Sequence, residues 1–174
     1  MKLFVSLQLP PFIKKELIRI QEELKKLNAF TGSYIPYENL HCTVFFIGEV
    51  PEPTLSLIKD RLISSPLPSC NNLVLGPLSF NSSKQPHVLW VSLDSSSLQL
   101  LAQQIADLLP EWSTKRTFVG HITLVRIKKL IEKEAISHLT LRPLHWDADA
   151  VHLQESKATH EGSLYITHVT IPLV

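Results

Sequence analysis

Two short stretches, Leu40-His41-Cys42-Thr43-Val44 and Gly120-His121-Ile122-Thr123-Leu124, each place a histidine two residues before a threonine. In an extended strand, residues i and i+2 share a face with Cβ atoms roughly 6 to 7 Å apart, a gap that one phosphate group bridges. The imidazole can exchange a proton with an attacking or leaving oxygen, and the hydroxyl can donate to a nonbridging phosphate oxygen. Two such strands facing one another would set proton-transfer groups on opposite sides of one phosphorus, as in-line displacement requires. An ordinary histidine pKa near 6.5 lets one imidazole be neutral and the other protonated around neutral pH.

The bare pattern is not enough, because His-x-Thr also occurs at His138 and His168. With eight histidines and ten threonines in 174 residues, chance placement gives about 0.5 matches. A single buried His-Thr pair is explained equally well as satisfied hydrogen bonding in a core. Position separates the four. His41 and His121 fall in corresponding strands of two similar half-chains, whereas His138 sits at an expected helix C-terminus and His168 on the last strand. The latter two are assigned to structure or surface.

The elements that must position the pair follow from periodicity. A first strand, Phe4-Val5-Ser6-Leu7, precedes Pro10-Pro11 and an amphipathic helix in which Ile13, Leu17, Ile20, Leu24 and Leu27 recur, ending near Asn28. A loop leads to the His41 strand, closed by Gly48. A short helix (Leu55, Ile58, Leu62) follows, then a strand from Leu73 to Phe80 with a bulge or edge position at Gly76-Pro77. The order restarts at Trp90-Val91-Ser92-Leu93, with Asp94 and Ser95 as candidate N-caps for a helix carrying Leu98, Leu101, Ile105 and Leu108 and stopped by Pro110. The strand Phe118–Val125 carries His121, a short helix lies around Leu130 to Ala135, and strands run from about Leu144 to Leu153 and from Leu164 to Leu173. Strand, helix, His-bearing strand, helix, strand occurs twice. The expectation is an α+β, bilobal, duplicated fold: two mainly antiparallel sheets, helices on the outer faces and a central cleft. Residues 1–174 would form one domain of two pseudo-symmetric lobes, with segments exchanged between them.

Composition narrows the chemistry. A formal net charge of +1 lacks the strongly basic balance of duplex-binding proteins. No GxGxxG or Walker loop is present, and HExxH, clustered carboxylates and cysteine ligand pairs are missing, so neither a dinucleotide nor a metal site is expected. Cys42 and Cys70 read as reduced, buried thiols. No apolar run reaches membrane-spanning length, and the expected compartment is the cytoplasm.

At these residues the sequence resembles the two-histidine phosphoesterases, and more closely the bacterial RNA 2',3'-cyclic phosphodiesterases, also called 2'-5' RNA ligases. The likeness runs through Phe4–Leu7, Ile35-Pro36-Tyr37-Glu38-Asn39-Leu40-His41-Cys42-Thr43, Phe46-Ile47-Gly48, Gly120–Arg126, Leu153-Gln154-Glu155-Ser156 and Tyr165. Three positions depart from it: Tyr34 stands where tryptophan is frequent, Phe45 where a basic residue is common, and Gly120 where proline is common. The resemblance implies His41 as proton donor to the departing ribose oxygen and His121 as proton acceptor from water. It places Thr43, Thr123 and Arg126 on the phosphate, and it implies no metal and no organic cofactor. The implied reaction is hydrolysis of RNA or nucleotide 2',3'-cyclic phosphate ends to 2'-phosphomonoesters, with 2'-5' ligation as its reverse. Alternatives are another cyclic phosphate, such as ADP-ribose 1'',2''-cyclic phosphate, or a noncatalytic nucleotide or RNA-end binding module. The partners implied are RNA 3' ends or nucleotides carrying a cyclic phosphate; no membrane and no obligate protein partner is expected. Tyr34, Phe46 and Tyr165 are candidates to stack on a base, with core or rim packing the plainer reading of each, and Lys115 and Arg116 read as a solvated loop.

Overall fold

The computed structural model describes residues 1–114, 117–160 and 162–174. The chain starts with strand β1 (Lys2–Gln8) and helix α1 (Pro11–Leu27). Pro11, which has no N–H to leave unsatisfied, opens the helix; Asn28, in the left-handed region at φ 49°, closes it beside Lys25 and Lys26. Strand β2 (Phe30–Tyr34) and a 3-10 turn (Tyr37–Asn39) lead into β3 (His41–Glu49), then α2 (Thr54–Ile63) and β4 (Cys70–Phe80). The second half runs β5 (Val88–Leu93), α3 (Ser96–Leu108), a 3-10 turn (Pro110–Trp112), β6 (His121–Leu130), α4 (Lys133–Ile136), β7 (His145–Ala148), β8 (Ala150–Thr159) and β9 (Gly162–Pro172).

All the strand pairings named here are antiparallel, in the order β7-β4-β5-β6-β3-β1-β8-β9, with β2 on the other side of β6. Between β3 and β6 the only paired residues, among those described, are Cys42 and Ile122. That bridge divides the strands into two lobes, β3-β1-β8-β9 and β2-β6-β5-β4-β7. The chain crosses between them: β2 comes from the first half but pairs in the lobe of β6, and β8 and β9 return to β1. Buried residues of α1, α2 and α3 (Ile13, Leu17, Ile58, Leu62, Leu98, Leu101) join one core with Leu7, Cys42, Ile122 and Leu153. Both cysteines are free and buried.

Three expectations need correction. The stretch before His41 is not all loop: β2 was illegible because Thr31-Gly32-Ser33 carries no apolar alternation, being exposed on both faces. A side chain at position 32 would run into the backbone carbonyl of Arg126, so glycine is what allows the two strands to approach. The helix expected around Leu130 shrinks to Lys133–Ile136 because β6 continues to Leu130 to pair with β2. Ser95 stands at the N-cap of α3 but does not cap it; its hydroxyl bonds the Asn71 carbonyl and the Ser97 hydroxyl instead. The expected irregularity at Gly76-Pro77 is present as a register shift between Leu75 and Leu78.

Candidate active site

Because Cys42 faces Ile122 in an antiparallel pair, the register sets His41 opposite Thr123 and Thr43 opposite His121. Strict alternation does the rest. Cys42, Val44, Ile122 and Leu124 point into the core, and the two histidines and two threonines are partly exposed on the opposite face. There they line one cleft of about 230 Å³, together with Lys2, Phe4, Asn39, Phe46, Arg126 and Tyr165.

Each histidine is oriented by the backbone two residues before it. The Nδ1–H of His41 donates to the Asn39 carbonyl at 2.7 Å, and that of His121 to the Val119 carbonyl at 2.8 Å. A carbonyl only accepts, so both rings carry their proton on Nδ1 when neutral, leaving Nε2 as the acceptor. His41 Nε2 lies 3.0 Å from Thr43 Oγ1, which donates to it in the neutral state. His41 is packed against Phe4 and Tyr165, with ring centroids 5.2 Å away in both cases, and His121 against Trp90 at 4.4 Å. Burial pushes the His41 pKa below the ordinary histidine value. The bond to Asn39 opposes this, and the positive charges of Lys14, His121 and Arg126 reinforce it.

Arg126, five residues after His121, would point away from the cleft in a regular strand. A bulge prevents this: Trp90 pairs with Thr123, but the next residue back, Leu89, pairs with Val125. The extra residue turns Arg126 to the histidine face. Gln21 of α1 supports the bulge from behind, donating through Nε2 to the carbonyls of Leu124 (3.0 Å) and Ile35 (2.8 Å). The same irregularity occurs in β3, where Ser6 pairs with Thr43 but Val5 with Phe45, and it brings Phe46 into the cleft. At Gly120, before the second histidine, an added Cβ would lie 2.6 Å from the Leu93 carbonyl oxygen and 2.8 Å from Leu98 Cδ2. That contact explains glycine at a position where the resemblance led one to expect proline.

All five residues singled out in the sequence thus line the same cleft. Of the three stacking candidates, Phe46 (53% exposed) and Tyr165 line it, while Tyr34 packs against Phe30 and under Lys25 elsewhere. His168 is not among the residues lining the cleft, its Nε2 lying 3.0 Å from Glu155 Oε2, and His138 is exposed beyond α4. Lys115 and Arg116 lie outside the described residues. Sequence reasoning missed Lys2 and Asn39. Lys2 has no motif around it, and only the pairing of β1 with β3 and β8 brings it to the cleft; it supplies a cation where Phe45 offers none. Gln21 was legible in principle, since it falls on the buried stripe of α1 between Leu17 and Leu24. Among the described residues no cluster of three or more His, Cys, Asp or Glu could hold a metal ion, and no helix is long and apolar enough to cross a membrane.

A profile of the 2'-5' RNA ligase superfamily matches residues 17–160, and the chain belongs to that superfamily. It is 28% identical over 172 residues to an RNA 2',3'-cyclic phosphodiesterase of Thermotoga maritima, covering 95% of this chain and 91% of the relative. Its fold is similar to that of TT0787 of Thermus thermophilus, with a TM-score of 0.83 and 22% identity, covering 99% of this chain and 98% of the other. It is likewise similar to E. coli LigT, solved in complex with 3'-AMP, with a TM-score of 0.76 and 20% identity over 99% and 97% of the two chains.

Proposed function

We propose that this protein hydrolyses RNA or nucleotide 2',3'-cyclic phosphate ends to 2'-phosphomonoesters. The observation that carries the reading is the facing of two His-x-Thr motifs across one antiparallel bridge, with a guanidinium on the same face. The named activity of the Thermotoga maritima relative supports the substrate class.

With the cyclic phosphate between the motifs, His121 Nε2 takes a proton from water as its oxygen bonds to phosphorus. The bond from phosphorus to O3' breaks, and protonated His41 delivers its Nε2 proton to that oxygen. The phosphate remains on O2', and the proton gained by His121 returns through solvent to His41. Thr43, no longer needed to donate to a protonated His41, turns its hydroxyl to a phosphate oxygen, as does Thr123. Arg126 neutralises charge on the phosphate through its forked donors. No step needs a metal. With an RNA 5'-hydroxyl attacking in place of water, the same displacement would leave the phosphate bridging O2' and O5', a 2'-5' linkage, and its reversal would re-form the cyclic phosphate. The chain acts in this reading as one unit, residues 1–174, on RNA 3' ends, and its two reduced buried thiols suit the cytoplasm. The test is turnover of a nucleoside 2',3'-cyclic phosphate by purified protein in excess chelator, with the product identified as the 2'-monophosphate. No turnover, or turnover restored only by added zinc or magnesium, would reject the reading.

A further inference from the structure

A second hollow opens off the cleft on the side of His121. It shares Thr43, Phe46 and His121 with the cleft and runs between α3 and residues 112–114 and 117–119, with a volume of about 820 Å³. Ligand pockets for drug-sized molecules run from about 300 to 1,000 Å³. The cleft alone, at about 230 Å³, falls short of that range, whereas the groove adds room for further nucleotide. Its walls include the rings of Trp90, Trp112 and Phe118, with the amides of Gln99 and Gln103 from the exposed side of α3. None of the described residues lining it is Asp, Glu, Lys or Arg.

Described walls of aromatic rings and amides, with no Lys or Arg among them, are poorly suited to a phosphate and well suited to a planar neutral group. Unpaired nucleobases stack on such rings with little regard to sequence, and amide side chains hydrogen-bond their edges. Trp112 is held for this, with the Arg61 guanidinium over its ring at 5.8 Å. Continuity with the cleft selects the occupant, since whatever lies in the groove reaches the reacting phosphate through the shared residues. We propose that the groove holds at least one unpaired base of the RNA strand that carries the reacting phosphate, so that the enzyme acts on RNA ends in preference to free cyclic nucleotides. This rests on the hydrolase reading above and goes beyond it in assigning a second base site.

The experiment compares kcat/KM for a nucleoside 2',3'-cyclic phosphate with that for a trinucleotide ending in the same group, at fixed salt. The trinucleotide should be favoured by about 5- to 150-fold, the factor carried by stacking one base on an aromatic side chain. Trp112→Ala should remove most of that preference while leaving the mononucleotide rate unchanged. Should Trp112→Ala fail to fold, Gln99→Glu with Gln103→Glu decides: two surface carboxylates in the groove should repel the RNA backbone and lower only the trinucleotide rate. Equal kcat/KM for the two substrates would overturn the proposal. So would a preference that survives these variants, which would assign the groove to another occupant such as a peptide or a second copy of this chain. Turnover of neither substrate would instead refute the hydrolase reading itself.

Discussion

His41 and His121 donate Nδ1–H to the carbonyl two residues before them at 2.7 and 2.8 Å, and each stands two residues before a threonine and three before a bulge. Their surroundings differ. His41 is wedged between Phe4 and Tyr165 and bonded to Thr43, whereas His121 rests on Trp90, and its Nε2 makes no hydrogen bond among the described residues. The bulge in β3 turns an apolar ring, Phe46, into the cleft; the one in β6 turns in Arg126. The backbone device common to both halves therefore fixes where a side chain arrives, and its chemistry is free to diverge. Around its histidine one half supplies close packing, and the other an open approach with a guanidinium brought in by its bulge.

The comparison breaks first at the histidines. If both transfer protons, His41→Ala and His121→Ala should each lower kcat/KM on a cyclic nucleotide by about 100- to 10,000-fold. The double variant should lose little more than the worse single one, because both groups act on a single displacement. Near-normal turnover in either folded variant would remove that half from the reaction, while a collapse in His168→Ala would move the site.

The difference at the bulges is next in size. Arg126→Ala should cost about 10- to 100-fold in kcat/KM, the range for a lost hydrogen bond to a charged group, with the fold intact by circular dichroism. An unchanged kcat/KM would return Arg126 to the solvated surface.

Gln21→Leu sharpens the same point from behind. It removes the donor shared by the Leu124 and Ile35 carbonyls and should destabilise the protein by about 1 to 3 kcal/mol. If the bulge aims Arg126, kcat/KM should fall in part toward the Arg126→Ala value, and adding Arg126→Ala should then cost less than it does alone. Full additivity of the two substitutions in kcat/KM would show that Gln21 serves stability only.

Much of this was written in local sequence. His41, Thr43, His121 and Thr123 share a face because strands alternate, and the helices were visible in apolar spacing such as Ile13, Leu17, Ile20 and Leu24. Hidden were the features that depend on pairing between distant segments. Arg126 at an odd spacing reaches the cleft only through a bulge whose register is set by β5. Lys2 gets there because β1 lies between β3 and β8, and β2 exists because β6 offers an edge to a polar, glycine-containing segment. A reading confined to periodicity sees none of these, since each is decided by the neighbour rather than by the segment itself.

The smallest effect tests which histidine donates. Burial and the nearby positive charges lower the His41 pKa in the folded protein from the ordinary histidine value of 6.5. The unfolded chain takes up that proton more readily, so His41 contributes stability above about pH 6.5 that is lost as pH falls through the folded value. Denaturation midpoints measured from pH 8 to pH 5 should therefore fall on the acid side in the wild type, and less steeply in His41→Gln. A histidine that prefers to be neutral is a poor donor in the empty cleft, and the donor role requires that substrate change this. An anionic phosphate between His41, His121 and Arg126 offsets the positive charges that depress His41 and gives its proton an acceptor. The His41 pKa, followed by NMR, should consequently rise when a nucleoside 2'-monophosphate is bound. If it stays low in the complex while that of His121 rises, the roles are exchanged: His121 protonates the departing oxygen, and His41, held by Asn39 and Thr43, takes the proton from water.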